Sequence, residues 1–137
     1  MEITYKRDLE QVDWAAMKAL LQADDFDNGR TPAQLETSFR NSFGTCIAYD
    51  GDTIIGTARV LSDGVCNAYV VDVWTLSARR QQGIARTMID ELLTHLHGQH
   101  VFLFTDDMPE FYKRIGFAER GIGFERVVGA WLVNEPN

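Results

Sequence analysis

A loop in the second half of the chain combines small residues with clustered positive charge. Residues 80–85 read Arg-Gln-Gln-Gly-Ile-Ala and directly precede a helical pattern. The first turn of a helix has unpaired N–H groups and the positive end of the helix dipole, so it binds anions. Gly83 and Ala85 let a pyrophosphate approach the backbone, and Arg79, Arg80 and Arg86 bring positive charge to an acidic chain. The loop predicts a phosphate site, with a tight turn and solvated arginines as the alternative.

The carboxylate of Asp72 is a second candidate, because it is the one charged side chain in the apolar run Ala68–Trp74. A charge in such a run is costly unless it is paired or hydrogen-bonded, so its presence indicates a role. One role is a base or an amine-orienting group whose pKa burial raises. The other is capping of backbone N–H groups. An Asp with a pKa of about 4 is a poor direct base, so a water relay also stays open.

The elements that must position these residues have the order β-α-α-β-β-β-α-β-α-β-β. Short Asp-Gly turns at 50–52 and 62–64 predict antiparallel hairpins. A strand at 101–104 that is apolar on both faces, after a crossover helix, predicts a buried parallel strand. The fold class is therefore α+β with a mixed sheet. The predicted strands are 2–6, 45–49, 53–61, 67–76, 101–104, a segment near Phe117 and 127–133; the predicted helices are 13–23, one that opens at Thr31 with a capping box, 83–97 and 109–115.

Composition bounds the class of protein. A chain of 137 residues with no linker predicts a single domain over 1–137. Thirteen basic against 20 acidic residues, a net charge of −7, argue against nucleic acid and anionic membranes as partners. The longest apolar stretch has seven residues, where a membrane span takes about 20. Cys46 and Cys66 are too few for a metal knuckle and predict small buried side chains in a reduced, cytoplasmic protein without a metal site.

Two motifs and the element order resemble the GNAT superfamily of acetyl-CoA-dependent N-acetyltransferases. Residues 80–85 match its Arg/Gln-x-x-Gly-x-Gly/Ala signature. Residues 111–117, Phe-Tyr-Lys-Arg-Ile-Gly-Phe, look like its second motif about 30 residues later. A dinucleotide-binding Rossmann loop is the competitor, but it requires a third small residue where Met88 stands.

The resemblance implies a sheet splayed between its fourth and fifth strands, with acetyl-CoA in the opening. The pyrophosphate would lie on the main-chain N–H groups of residues 81–86, and the pantetheine arm would pair with β-strand backbone near Val73 and Thr75. The thioester carbonyl would accept an N–H from around Val73. The implied cofactor-binding residues are Val73, Trp74, Thr75, Arg80, Gln81, Gln82, Gly83, Ile84, Ala85 and Arg86.

The resemblance also implies that Tyr112 is the general acid that protonates the departing sulfur. A phenol with a pKa of about 10 keeps its proton at neutral pH, as this role requires. Packing of Tyr112 between Phe111 and Phe117 is the alternative. The glutamate base of histone-type members would fall at Tyr69, so Asp72 or a water must take the proton of the amine.

In the family, the loop between the first two helices helps to form the acceptor site. Here that loop carries Phe26 and Asp27, and Asp106 would lie on the opposite wall. These acidic groups predict a cationic small-molecule amine as acceptor, with solvated loop charge as the alternative. A protein N-terminus or lysine is the second acceptor class, and a non-catalytic acyl-CoA-binding module is a different function. Family members often pair, so a homodimer is among the expectations.

Overall fold

Strands and helices follow one another along residues 2–132, which are the residues that the computed structural model describes. The strands are β1 (Ile3–Lys6), β2 (Gly44–Asp50), β3 (Thr53–Ser62), β4 (Asn67–Thr75) and β5 (His100–Phe102). The helices are α1 (Trp14–Ala23), α2 (Pro32–Arg40), α3 (Ile84–Leu93) and α4 (Pro109–Arg114), with a 3₁₀ turn at Ser77–Arg79. None of the helices in this range is long and apolar enough to cross a bilayer.

The five strands form one sheet in chain order. The pairs β1–β2, β2–β3 and β3–β4 are antiparallel, and β4–β5 is parallel. The α+β class with a mixed, mostly antiparallel sheet is therefore confirmed. The helices α1 and α2 begin where their caps predict. The Asp13 carboxylate accepts the N–H of Ala16 at 2.9 Å, and Thr31 and Gln34 form the expected capping box.

Each face of the sheet is covered by helix. On one face, the stripe Ile84, Met88 and Leu92 of α3 packs on the sheet. Gly56 of β3 permits this close approach, because a Cβ there would lie 3.0 Å from the Met88 Cε and 3.1 Å from the Trp74 carbonyl oxygen. A second buried cluster is formed by residues of α1, α2 and the sheet: Met17, Leu21, Leu35, Phe39, Ile47, Ile54 and Trp74.

The strands β4 and β5 separate part-way along their length. They pair only where Asn67–Tyr69 meets His100–Phe102, and β4 continues to Thr75. The pairing therefore stops six residues before β4 ends, which leaves this edge of β4 open. This is the splay between the fourth and fifth strands that the resemblance implies.

Three predictions about the later part of the chain are wrong. The closing strands near Phe117 and at 127–133 do not form within the described residues, where positions 115–132 hold no strand; Val133 lies outside them. The strand β5 is parallel as predicted but not buried, since Phe102 is 43% exposed and β5 has a single strand neighbour in the described sheet. Cys66 is exposed, whereas Cys46 is buried as expected.

The helix α3 ends at Leu93 instead of continuing to residue 97. Beyond this point the N–H groups of His95 and Leu96 bond to the carbonyl oxygens of Leu92 and Leu93, three residues back. Such bonds tighten the last turn into 3₁₀ geometry. The chain then turns at Gly98, whose φ of 82° is in the left-handed region.

Candidate active site

The segment before α3 has the conformation of an anion-binding loop. Gln81 and Gly83 adopt left-handed φ angles of 64° and 79°. Gly83 is also the N-cap of α3, and no side chain caps this helix end. Left-handed residues in a turn gather main-chain N–H groups into a concave anion site, and the first-turn N–H groups of the helix are unpaired by geometry. Residues 80–83 are exposed, so the loop before α3 is open to solvent.

The arginines around this loop differ in how they are held. Arg79 donates to Asp50 Oδ2 at 2.8 Å, which neutralises part of its charge. Arg80 makes a long contact of 3.5 Å from Nε to the Thr75 carbonyl oxygen. The Arg86 side chain is 60% exposed and lies 3.8 Å from Asp90. Arg80 and Arg86 therefore remain available to an anion at the start of α3.

The open edge of β4 leads from this loop into the splay. Thr75 carries a buried Oγ1 without a hydrogen-bond partner among the described residues. Buried polar atoms are normally hydrogen-bonded, so this hydroxyl is an exception on β4. The Trp74 indole points away, since it is buried among α1 and α2 residues and donates to Asp24 Oδ2 at 2.8 Å. Only the backbone of Trp74 can serve the splay.

The carboxylate of Asp72 is held by two arginines. Arg30 donates to both of its oxygens at 3.0 Å, and Arg59 Nε donates to Oδ2 at 2.6 Å. Burial alone would raise the pKa of Asp72, but the hydrogen bonds and charges of Arg30 and then Arg59 outweigh it and lower the pKa. The expectation of a raised pKa for Asp72 is therefore wrong, because the two arginines more than offset the effect of burial.

Asp72 also lies in a β-bulge. Thr57 pairs with Trp74 and Arg59 pairs with Val71, so Ala58 alone stands opposite the two residues Asp72 and Val73. A two-against-one bulge bends its strand and leaves the extra residue unpaired. The bulge lies on the stretch of β4 where β5 no longer pairs, next to the position predicted to bind the thioester carbonyl.

Tyr112 lies on α4 in an aromatic cluster. Its ring centroid lies 5.0 Å from that of Phe111 and 6.0 Å from that of Phe117, and both pairs are edge to face. Burial, with a smaller contribution from the charge of Asp107, raises the pKa of Tyr112 above 10.0. The phenol is therefore protonated at neutral pH. The ring also packs against both phenylalanines, as the alternative interpretation of Tyr112 expects.

Two acidic residues between α1 and α2 are engaged in different ways. Asp27 forms a 2.7 Å ion pair with Lys18, and the Asp27 side chain is only 7% exposed. Asp24 accepts from the Ser77 main-chain N–H at 3.0 Å and from Trp74, and these bonds lower its pKa against the opposing effect of burial. Little of either carboxylate is left for a cationic acceptor. Phe26 and Asp106 are exposed.

A family model described as the acetyltransferase (GNAT) family matches residues 8–124. This chain belongs to the GNAT acetyltransferase family. The comparison with curated proteins finds no match.

Solved structures agree with this GNAT fold. A GNAT family acetyltransferase of Streptococcus pneumoniae is 28% identical, with a TM-score of 0.72, over 92% of this chain and 100% of that one. A Deinococcus radiodurans protein assigned as an acetyltransferase is 24% identical, with a TM-score of 0.79, over 90% of this chain and 87% of that one. A Clostridium acetobutylicum protein solved with acetyl-CoA is 20% identical, with a TM-score of 0.69, over 92% of this chain and 96% of that one.

Within this GNAT fold, three features were not predicted from the sequence: Arg30, Arg59 and the structural role of Asp24. A lone carboxylate in an apolar strand demands a counter-charge, and Arg59 is the one basic residue of β3. That pattern could have indicated the Arg59–Asp72 pair. Arg30 is 42 residues away from Asp72 in the sequence and carries no comparable signal.

A cavity of about 480 Å³ lies outside this GNAT site. It is lined by residues of the β1–α1 connection, the end of α2 and the start of β2, among them Arg7, Phe39 and Thr45. None of the predicted site residues lines it. The candidate coenzyme site is instead the open splay beside β4.

Proposed function

We propose that this protein transfers the acetyl group of acetyl-CoA to a primary amine of a small molecule. The observation that carries the proposal is the uncapped, left-handed anion loop at the start of α3, placed beside the open edge of β4. Membership of the acetyltransferase family supports the same reaction class. A cytoplasmic location fits the proposal, as does a homodimer.

The main chain would do most of the binding. The N–H groups of residues 81–86 would hold the pyrophosphate, with Arg80 and Arg86 adding charge. The unpaired edge of β4 would bind the pantetheine amides. Bound acetyl-CoA supplies an activated acyl thioester. The Val73 N–H would bind its carbonyl oxygen and stabilise negative charge that develops on it.

Tyr112 would supply the proton for the leaving group. As the new C–N bond forms, the C–S bond breaks and a thiolate leaves. The phenol donates its proton to the sulfur and so neutralises that thiolate, and the tyrosinate that remains regains a proton as the attacking nitrogen loses one and becomes the amide. The raised pKa of Tyr112 keeps the donor form populated at neutral pH.

A water would take the proton of the amine. A lysine-like amine has a pKa of about 10.4, and its deprotonation at neutral pH costs about 4–5 kcal/mol. Asp72 is a weak acceptor for this proton because its pKa is lowered and two arginines occupy its oxygens. We therefore assign Asp72 to orientation and leave proton removal to solvent, consistent with the absence of an acidic residue at position 69.

The test is release of free CoA thiol from acetyl-CoA with a panel of amines. The panel should contain monocationic amines, dicationic amines, amino acids and short peptides with a free N-terminus or lysine. We expect release with at least one small amine. Release with peptides alone would move the acceptor to the protein class. Coenzyme binding without release across the whole panel would indicate a non-catalytic acyl-CoA module and reject the proposed reaction.

The same panel tests the predicted preference for cationic acceptors. Because Asp27 is paired with Lys18, the accessible acidic group among the predicted acceptor residues is Asp106. Preference for dicationic amines that weakens with salt and disappears in Asp106→Asn would support a role for that group. Equal rates for monocationic and dicationic amines would contradict a role for Asp106 in acceptor binding.

A further inference from the structure

Arg30 joins the loop between α1 and α2 to strand β4. It lies in residues 24–31 between α1 and α2, the loop that the resemblance places at the acceptor. Its two terminal nitrogens each donate to one oxygen of Asp72 at 3.0 Å. Its Nε donates to Asn28 Oδ1 at 2.9 Å, so the guanidinium is also fixed to its own loop.

Asp72 holds an unusual backbone conformation. Its φ is 56°, in the left-handed region that disfavours residues with a Cβ. Such conformations persist where the surroundings fix them. Here the carboxylate is fixed by Arg30 and Arg59, and the carbonyl oxygen accepts from the buried Thr57 hydroxyl at 3.0 Å. The bulge is therefore held from its side chain and from its main chain.

The arginines contribute differently to this arrangement. Arg59 belongs to β3 and meets Asp72 from the neighbouring strand. Arg30 comes from a loop, and its bidentate bond connects that loop to the bulge. The exposed fractions of the Arg30 and Asp72 side chains are 8% and 12%, so solvent screens this bond weakly. A planar guanidinium makes two parallel bonds to a carboxylate, which an ammonium group cannot reproduce.

We propose that Arg30 is a positioning residue that acts through Asp72 to hold the β4 bulge in the shape that presents the Val73 N–H to the thioester carbonyl. Arg30 thereby links the acceptor loop to the site of carbonyl binding. The inference rests on the proposed function, because it concerns the carbonyl that the proposed reaction attacks. It differs from a base role for Asp72, since neither Arg30 nor Asp72 needs to exchange a proton.

The test compares Arg30→Lys and Arg30→Ala with wild type in binding and in turnover. CoA and acetyl-CoA share every group except the acetyl thioester, so the ratio of their Kd values reports the carbonyl contact. We expect Kd for CoA to stay within about twofold in both variants, because the loop before α3 that would bind the phosphates is distant from Arg30 in the sequence and shares no hydrogen bond with it among the described residues. The preference for acetyl-CoA over CoA should be lost. We expect kcat to fall about tenfold or more, by a similar factor at each pH, because Arg59 still keeps Asp72 ionised.

The matched control is Arg40→Ala, which removes an exposed arginine paired with Glu36 on α2. It should leave both the Kd ratio and kcat at their wild-type values. Arg30→Lys keeps the positive charge, so it carries the test if Arg30→Ala does not fold, with CoA binding as the measure of folding.

The outcomes separate this inference from the proposed function. If wild type prefers acetyl-CoA and both Arg30 variants keep that preference and kcat, the positioning role is wrong and the acetyltransferase proposal stands. A shift of the acidic limb of the pH profile in Arg30→Lys would also overturn it, because that result would make Asp72 a titrating base. If wild type binds neither coenzyme, the proposed function fails and this inference fails with it.

Discussion

Tyr112 is the residue whose proton the proposed reaction requires most directly. Its ring packs edge to face with two phenylalanines and is partly buried. Tyr112→Phe keeps that packing and removes only the hydroxyl. We expect kcat to fall at least about tenfold, since general acid catalysis contributes this much or more. The Kd for acetyl-CoA should stay nearly unchanged, as measured by calorimetry.

The matched control for Tyr112 is Tyr49→Phe. Tyr49 also has a pKa that burial raises, but it lies on β2, two strands from β4. Its hydroxyl should not affect turnover. Unchanged kcat in Tyr112→Phe, or an equal loss in both variants, would remove Tyr112 from the mechanism.

Asp72 should make the stability of the fold depend on pH. Its pKa in the folded protein is lower than the ordinary value of 3.8, so folding favours the ionised form. The stabilisation is complete above that ordinary value and is lost as the pH falls through the lower, folded value. Asp72→Asn removes this contribution and leaves two arginines without a counter-charge, which should cost about 3 kcal/mol or more at neutral pH. The difference between wild type and variant in urea unfolding should therefore shrink in acid, and a difference that grows in acid would contradict the assigned charge state.

The sequence predicted at the residue scale that Asp72 needs a partner, because an unpaired charge in an apolar strand is costly. It could not predict which partner. The pairing of Arg59 with Asp72 depends on the register between β3 and β4, and the pairing of Arg30 with Asp72 depends on the path of a loop. Long-range packing sets both the register and the path. The predicted direction of the pKa shift of Asp72 was wrong for the same reason, because the two arginines lower the pKa by more than burial raises it.

At the scale of elements, the contact between α3 and β3 fixes where the anion loop lies. Gly56→Ala would place a Cβ 3.1 Å from the Trp74 carbonyl oxygen, a backbone atom that cannot rotate away, and 3.0 Å from the Met88 side chain. We expect a loss of about 1–3 kcal/mol in unfolding free energy. Coenzyme affinity should also fall, because α3 must move and its first turn carries the proposed phosphate donors.

The control for Gly56 is Gly44→Ala in β2. The three atoms nearest to a Cβ at Gly44 all belong to side chains, and the nearest of them, Val60 Cγ1, would lie at 3.3 Å. Small adjustments of that side chain can absorb the contact, so the variant should be more stable than Gly56→Ala. Equal losses of stability in the two variants would show that the spacing between α3 and β3 is not limiting.

Local signals allowed the helices α1 and α2 to be placed from the sequence. A side-chain cap acts within three or four residues, so Asp13 and Thr31 define their helix starts without reference to the rest of the fold. The final strands depend on partners far away in the sequence, which a β-pattern does not specify. Residues 127–132 have such a pattern, yet they are exposed and form no strand among the described residues.

At the scale of the whole molecule, the loop before α3 is locally positive although the net charge of the protein is negative. The chain carries −7 overall, whereas the loop before α3 gathers Arg80 and Arg86 beside unpaired main-chain donors. An anion bound there meets a positive site on an acidic protein. Contacts to the phosphates should therefore weaken as salt rises, because screening acts on these exposed arginines more than on the buried Arg30–Asp72 pair.

Coenzyme binding should stabilise the folded molecule as a whole. A ligand that binds only the native state at 100 times its Kd stabilises it by about 2.7 kcal/mol. For a domain of this size that corresponds to a rise in Tm of about 10 °C. Thermal unfolding with CoA and acetyl-CoA at increasing salt measures both the rise and its screening. A nicotinamide dinucleotide is the control, since it also carries a pyrophosphate but fits the competing Rossmann interpretation. A larger rise with the dinucleotide than with CoA would assign the loop to that class of ligand and contradict the coenzyme site.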